Sequence, residues 1–189
     1  MNKNYLFIAK FVEDINDIDI GEKIGDHIYK ATYKKPRRNR TILQVVIKIF
    51  ETTKEPKLFQ IFMNEFKMQH DLSHPAILPL LNCSVPIFNQ KDYAVISEYM
   101  PNGTLSKLIE ESNKDNLPYD WETIRAINIL GIAAGMAYSH QNDIIHKHLD
   151  TSHILLDSNY YPKITSFLFS IQENYEYFFH GEGPMIEMR

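Results

Sequence analysis

Apolar and acidic positions alternate near the start of the chain, where Phe11, Val12, Ile15 and Ile18 are set against Glu13, Asp14, Asp17 and Asp19. This pattern predicts a segment that packs on a following sheet and carries no chemistry of its own. β-Branched residues then run together in Val45-Val46-Ile47-Lys48-Ile49, which predicts a strand. From Pro56 onward the apolar positions recur at helical spacing, through Leu58, Ile61, Phe62 and Met68. Strands are expected again over 78–85 and 93–97, then a short helix from Gly103-Thr104 to Glu111 and a polar linker over 112–118. The longest helical pattern runs from Trp121 to Gln141, with Ile124, Ile127, Leu130, Ala134 and Tyr138 expected on its inner stripe. Gly131 and Gly135 in that helix predict close approach of a neighbour.

One charge interrupts the apolar face of the first helix. Glu65 lies among apolar positions and needs a cationic partner if it faces inward. On the residues alone, most lone glutamates in helices are solvated, and Lys48 is ordinarily a lysine at a strand edge.

Composition narrows the classes. The chain has 189 residues, 44% hydrophobic and 23% charged, which suits a soluble globular protein of one domain or slightly more. A net charge of −4 gives no overall basic field for nucleic acid or an anionic membrane. The basic run from Lys34 to Arg40 is local and reads as a solvated hairpin loop. Cys83 is the only cysteine, so no intrachain disulfide can form, in keeping with a reducing compartment. Tyr5 to Ala9 is too short for a signal-peptide core, and the apolar window Ala126 to Tyr138 is too short for a membrane span. A cytoplasmic protein is expected.

The segment from Ile20 to Ala31, IGEKIGDHIYKA, resembles the glycine-rich loop and second strand of the protein kinases. Aligned without a gap, Gly21 matches the first glycine, while Lys23 and Asp26 replace the other two. With Ile24-Gly25 as the opening, the loop loses about a hairpin tip. Either way the phosphate cradle is short of glycine and carries an acid. Val45 to Lys48 resembles the V-A-I-K strand, with Val46 in place of an alanine, and Lys48 and Glu65 match the family's lysine–glutamate pair. Leu72 to Ile77 is similar to the L-x-H-P-N-I bend. Val95 to Leu105 is similar to the hinge, with Ser97 at the gatekeeper place and the Glu98 carbonyl and Met100 amide toward an adenine. The stretch from His146 to Asp157, HKHLDTSHILLD, resembles the catalytic loop H-R-D-L-K-x-x-N-I-L-L-D, and Tyr161 to Ser170 resembles K-I-x-D-F-G-L-S. Over residues 20–170 the chain is thus similar to the tyrosine-kinase-like group of serine/threonine kinases.

That resemblance implies an α+β, two-lobed fold. Residues 1–19 would be an extension, 20–100 a β-rich N-lobe and hinge, and 101–189 a truncated C-lobe lacking the family's later helices. It also implies nucleotide contacts from Gly21, Ile28, Val46, Lys48, Glu65, Ser97, Glu98, Met100 and Leu155. The reactive positions differ from the family pattern. His148 replaces the catalytic Asp, Asp150 the Lys, His153 the metal-binding Asn, and Ser166 the metal-binding Asp. Phosphoryl transfer needs a carboxylate for the substrate hydroxyl and hard oxygen ligands for Mg²⁺. The resemblance therefore implies an inactive domain that binds protein partners, and ATP without Mg²⁺, with no metal site. A weakly active serine/threonine kinase using His148 is the alternative, and a truncated product without a stable fold is a third. His140, His146, His148 and His153 suggest zinc, but no cysteine lies nearby and the spacing matches no familiar zinc pattern. Gln69 is expected to weaken the internal packing column, Phe167 to be a core aromatic, and Asp143 and Asp157 to serve turns. Without later helices, the Trp121–Gln141 helix is expected to keep an uncovered apolar face.

Overall fold

The computed structural model describes residues 9–12, 17–34, 44–50, 58–84, 92–111, 117 and 120–172. The basic run beyond Lys34, most of the linker after Glu111, and Pro56 lie outside them. Five strands form one antiparallel sheet: β1 (Ile18–Gly25), β2 (Ile28–Tyr33), β3 (Gln44–Phe50), β4 (Leu80–Ser84) and β5 (Tyr93–Glu98). Their spatial order is β1-β2-β3-β5-β4. Helix α1 (Leu58–His70) crosses the sheet. Val12 bridges to Cys83, and the Phe11 ring packs on Phe66 and His70, so this part of the N-terminal segment lies on the sheet as its alternation predicts.

The β-branched run of β3 alternates across the sheet as a pleat requires. Val45 and Ile47 are fully buried with Ile18, Ala31, Ala94 and Ile96 on one face. Phe50 turns to the other face and packs with Phe62, Met63, Phe66 and Val95 beneath α1. Lys48, the one charged residue of β3, therefore belongs to the α1 side.

A second, mainly helical region follows. It contains α2 (Leu105–Glu111), α3 (Trp121–Gln141) and the short strand pairs β6 (Ile144–Ile145) with β9 (Ile171–Gln172), and β7 (Ile154–Leu156) with β8 (Pro162–Ile164). Asp120 caps α3 by accepting from Thr123 N at 2.9 Å. Asp157 holds the turn between β7 and β8, accepting from Asn159 N and Tyr161 N, and Asp143 adopts a left-handed conformation after α3. Both are turn residues, as expected. The regions join at the bend before β4, where Leu78 N donates to Ile164 O and Ile164 N donates to Ala76 O, at 2.9 and 2.7 Å.

The inner stripe of α3 differs from the one expected. Ile124, Asn128, Gly135 and Ser139 are buried, whereas Leu130 is 71% exposed and Ala134 is also exposed. The glycines set this rotation. A Cβ on Gly131 would lie 2.5 Å from Pro162 Cγ, and one on Gly135 would lie 2.8 Å from Ile164 Cδ1. Strand β8 thus seats on the glycine side and turns Leu130 outward. Close approach at the glycines, by contrast, is as predicted.

Candidate functional site

Three strands bring four of the sequence-predicted nucleotide residues onto one face. Directly opposed residues of an antiparallel pair share a face. Ile28 opposes Lys48, Lys48 opposes Val95, and Val46 opposes Ser97. Ile28, Val46, Lys48 and Ser97 consequently line the same side of the sheet. Lys48 Nζ reaches Glu65 Oε1 and Oε2 of α1 at 2.9 and 2.7 Å. Glu65 is 3% exposed, so its charge is held by this one ammonium group. A carboxylate buried to that degree is stable only when paired.

The segment after β5 is stitched to the second region. Asn102 N donates to Leu156 O, and Leu156 N donates to Gly103 O at 2.9 Å. Gly103 takes the left-handed conformation that this tight exit requires. Met100 is buried and its carbonyl accepts from Gly103 N at 3.3 Å; among the described residues its amide has no acceptor. Glu98 is exposed, and Lys30 Nζ lies 4.2 Å over the Tyr99 ring. Leu155, between the buried Ile154 and Leu156, turns to the opposite, partly exposed side of β7 and bridges to Thr104.

The β1–β2 connection is tight. Asp26 and His27 alone form the turn, Gly25 pairs with Ile28, and His27 has a φ of 54°. Lys23 Nζ sits 3.7 Å from Asp26 Oδ1. Gly21 packs closely, with an added Cβ 3.1 Å from Lys30 O. The strands therefore pair to the tip, with an ion pair in place of glycine amides.

The loop after β6 contains two kinds of histidine. His146 is 1% exposed; its Nδ1 accepts from His148 N at 3.2 Å, so Nε2 carries the proton and donates to Thr165 O at 2.8 Å. Burial holds its basicity below that of an ordinary imidazole. Its ring meets Phe167 edge-on at 4.7 Å, and Phe167 is completely buried among Met68, Leu72 and Ile77. His146 and Phe167 are thus core groups. Gln69 is buried in the core, where Nε2 donates to Leu78 O at 2.7 Å and Oε1 has no partner among the described residues.

His148 is exposed, its ring 4.5 Å from that of His153 and 5.1 Å from that of Phe169. Asp150 caps the 3-10 turn Thr151–His153, with Oδ1 accepting from Ser152 N at 2.7 Å, Ser152 Oγ at 2.5 Å and His153 N at 3.2 Å. The hydrogen bond from the Ser152 side chain, foremost, holds its carboxyl below the usual carboxylate range. His153 Nδ1 is 3.2 Å from the same oxygen but is not aligned for a hydrogen bond. Ser166 has a φ of 66°, a left-handed conformation that β-substituted residues adopt at a cost, and its hydroxyl caps nothing.

A family model described as protein tyrosine and serine/threonine kinase matches residues 17–185. The chain belongs to this kinase family. Wall-associated receptor kinase-like 14 of Arabidopsis thaliana is 32% identical over 149 residues, covering 77% of this chain and 20% of that protein. A G-type lectin S-receptor-like serine/threonine-protein kinase, RKS1, is 31% identical over 156 residues, 80% of this chain and 18% of the relative, and a probable LRR receptor-like serine/threonine-protein kinase is 29% identical over 155, 80% and 16%. Both are also from Arabidopsis thaliana. The chain spans about a fifth, or less, of the length of these relatives. The two regions are the β-rich and helical parts of a partial two-lobed kinase fold. No helix among the described residues is long and apolar enough to cross a membrane.

Kinase chemistry uses Mg²⁺, whose ligand places the family resemblance assigns to His153 and Ser166. An imidazole suits softer metals than Mg²⁺, and a lone hydroxyl brings no charge to hold it. Sequence reasoning missed Asn64, whose Nδ2 donates to Leu168 O at 2.8 Å and Ser170 O at 3.1 Å. It also missed Phe169, which backs the His148 ring.

Proposed function

We propose that this kinase-family domain is catalytically inactive and works by binding, holding protein partners in signalling and contacting ATP without a divalent ion. The donor set at the reactive positions carries this reading: His148, His153 and Ser166 offer two imidazoles and a hydroxyl. The only carboxylate in the stretch 146–153 is Asp150, whose Oδ1 is engaged by the loop's own amides. Phosphoryl transfer is positioning plus charge neutralisation, and these groups supply neither the base nor the Mg²⁺ ligands. The ATP part is supported by the shared sheet face, the Lys48–Glu65 pair and the Met100 amide, which has no acceptor among the described residues. A role in protein binding is supported by the outward Ile129 and Leu130 on α3. Signalling is supported by relatives whose names are receptor kinase-like or receptor-like kinase, and a cytoplasmic setting belongs to the same proposal.

Thermal melts with ATP, run in chelator and in Mg²⁺, test it alongside a phosphate-transfer assay. ATP is expected to raise the melting temperature equally in both, with no transfer. Mg²⁺-dependent transfer that disappears in His148→Ala would overturn the reading in favour of a weakly active serine/threonine kinase.

A further inference from the structure

The residues that occupy the reactive positions form a constellation of their own. Ligand atoms of His148, Asp150 and His153 all lie within 4.8 Å of one another. Backbone conformation brings them together: Lys147 has a φ of 63°, which turns the chain just before His148, and the Asp150-capped 3-10 turn folds His153 back over Asp150. The assembly is supported from outside by Phe169, edge-on to the His148 ring. His153 Nδ1 is buried from solvent and has no hydrogen-bond partner among the described residues. The hydrogen bonds to Asp150 all fall on Oδ1, which leaves Oδ2 available.

Two imidazoles and a carboxylate are borderline donors that match Zn²⁺, Co²⁺ or Ni²⁺ and not Mg²⁺. Ligands on one such ion at about 2.1 Å stand roughly 3–3.5 Å apart, a contraction that small rotations of the exposed His148 and Asp150 side chains supply. We propose that His148, Asp150 and His153 bind one divalent transition-metal ion of the zinc class, leaving at least one coordination position for water or an anion. The cysteine-free spacing that disfavours zinc in the sequence does not apply here, because the ligands are gathered by loop torsions over six residues. The inference does not rest on catalytic inactivity, since the site is built from the loop alone.

The test uses the full chain, stripped with chelator and free of nucleotide. Zn²⁺ and Co²⁺ are titrated separately, with calorimetry for Zn²⁺ and visible absorption for Co²⁺. One ion per chain is expected, with d–d bands from Co²⁺ and no effect of Mg²⁺ at the same concentration. His148→Ala should weaken binding at least about tenfold, since even supporting residues of metal sites cost that much. His153→Ala should do the same, while His140→Ala, on an exposed histidine outside the cluster, should change nothing. Stoichiometric binding retained in the His148→Ala/His153→Ala double variant overturns the site, as does absence of stoichiometric binding in the native chain. His148 is exposed, so its single variant keeps the metal-free melt and decides the matter should His153→Ala lower it.

Discussion

His146 and His148 are two residues apart and meet opposite demands. The first is buried, has both ring nitrogens bonded to backbone and rests against Phe167. The second is exposed, with its ring beside those of His153 and Phe169. The same division runs through the whole site. Lys48–Glu65, His146 and Phe167 bury charge or fill the core, whereas His148 stands on an exposed rim beside Asp150, which caps its own loop turn, and the half-buried His153. A kinase scaffold can therefore keep its frame while its reactive positions change chemistry, because different forces hold the two sets.

This division can be broken most strongly at the frame. Lys48→Met leaves Glu65 buried without a counter-charge and should cost about 3 kcal/mol in denaturant unfolding. The double change Lys48→Met/Glu65→Leu should recover most of that loss. Next, His146→Leu strands Thr165 O and His148 N and should cost about 2 kcal/mol, while His148→Leu stays within about 0.5 kcal/mol. Equal costs at the two histidines would erase the distinction. Gly131→Ala drives a Cβ into Pro162, and after the helix-propensity gain it should still cost about 1 kcal/mol by the same measurement. The smallest effect has the opposite sign: Ser166→Gly should stabilise by up to about 1 kcal/mol, since glycine adopts φ 66° without strain.

Much of the frame was legible because burial imposes patterns on sequence. The β-branched run marks β3, a charge among apolar helix positions marks Glu65 as needing a cation if it faces inward, and the kinase resemblance names Lys48 as that cation. Leu130 was misassigned because α3 carries isoleucine, leucine and alanine on several faces, so periodicity alone leaves more than one stripe. The glycines, which take β8, decide the rotation. Asn64 left no trace because its acceptors are backbone carbonyls 104 and 106 residues away, and any residue presents a carbonyl. The grouping of His148, Asp150 and His153 depends on the torsion at Lys147 and on a cap, neither of which spacing encodes.

Asn64 also ties two elements together. Its single amide donates to two carbonyls of the segment that follows Ser166, and it sits next to Glu65 on α1. Any outward swing of α1 must break these bonds together with the Lys48 pair, and any extension of the 167–170 turn must break the same bonds from the other end. Helix α1 and the 167–170 turn are thereby fastened to one another directly, without the sheet between them.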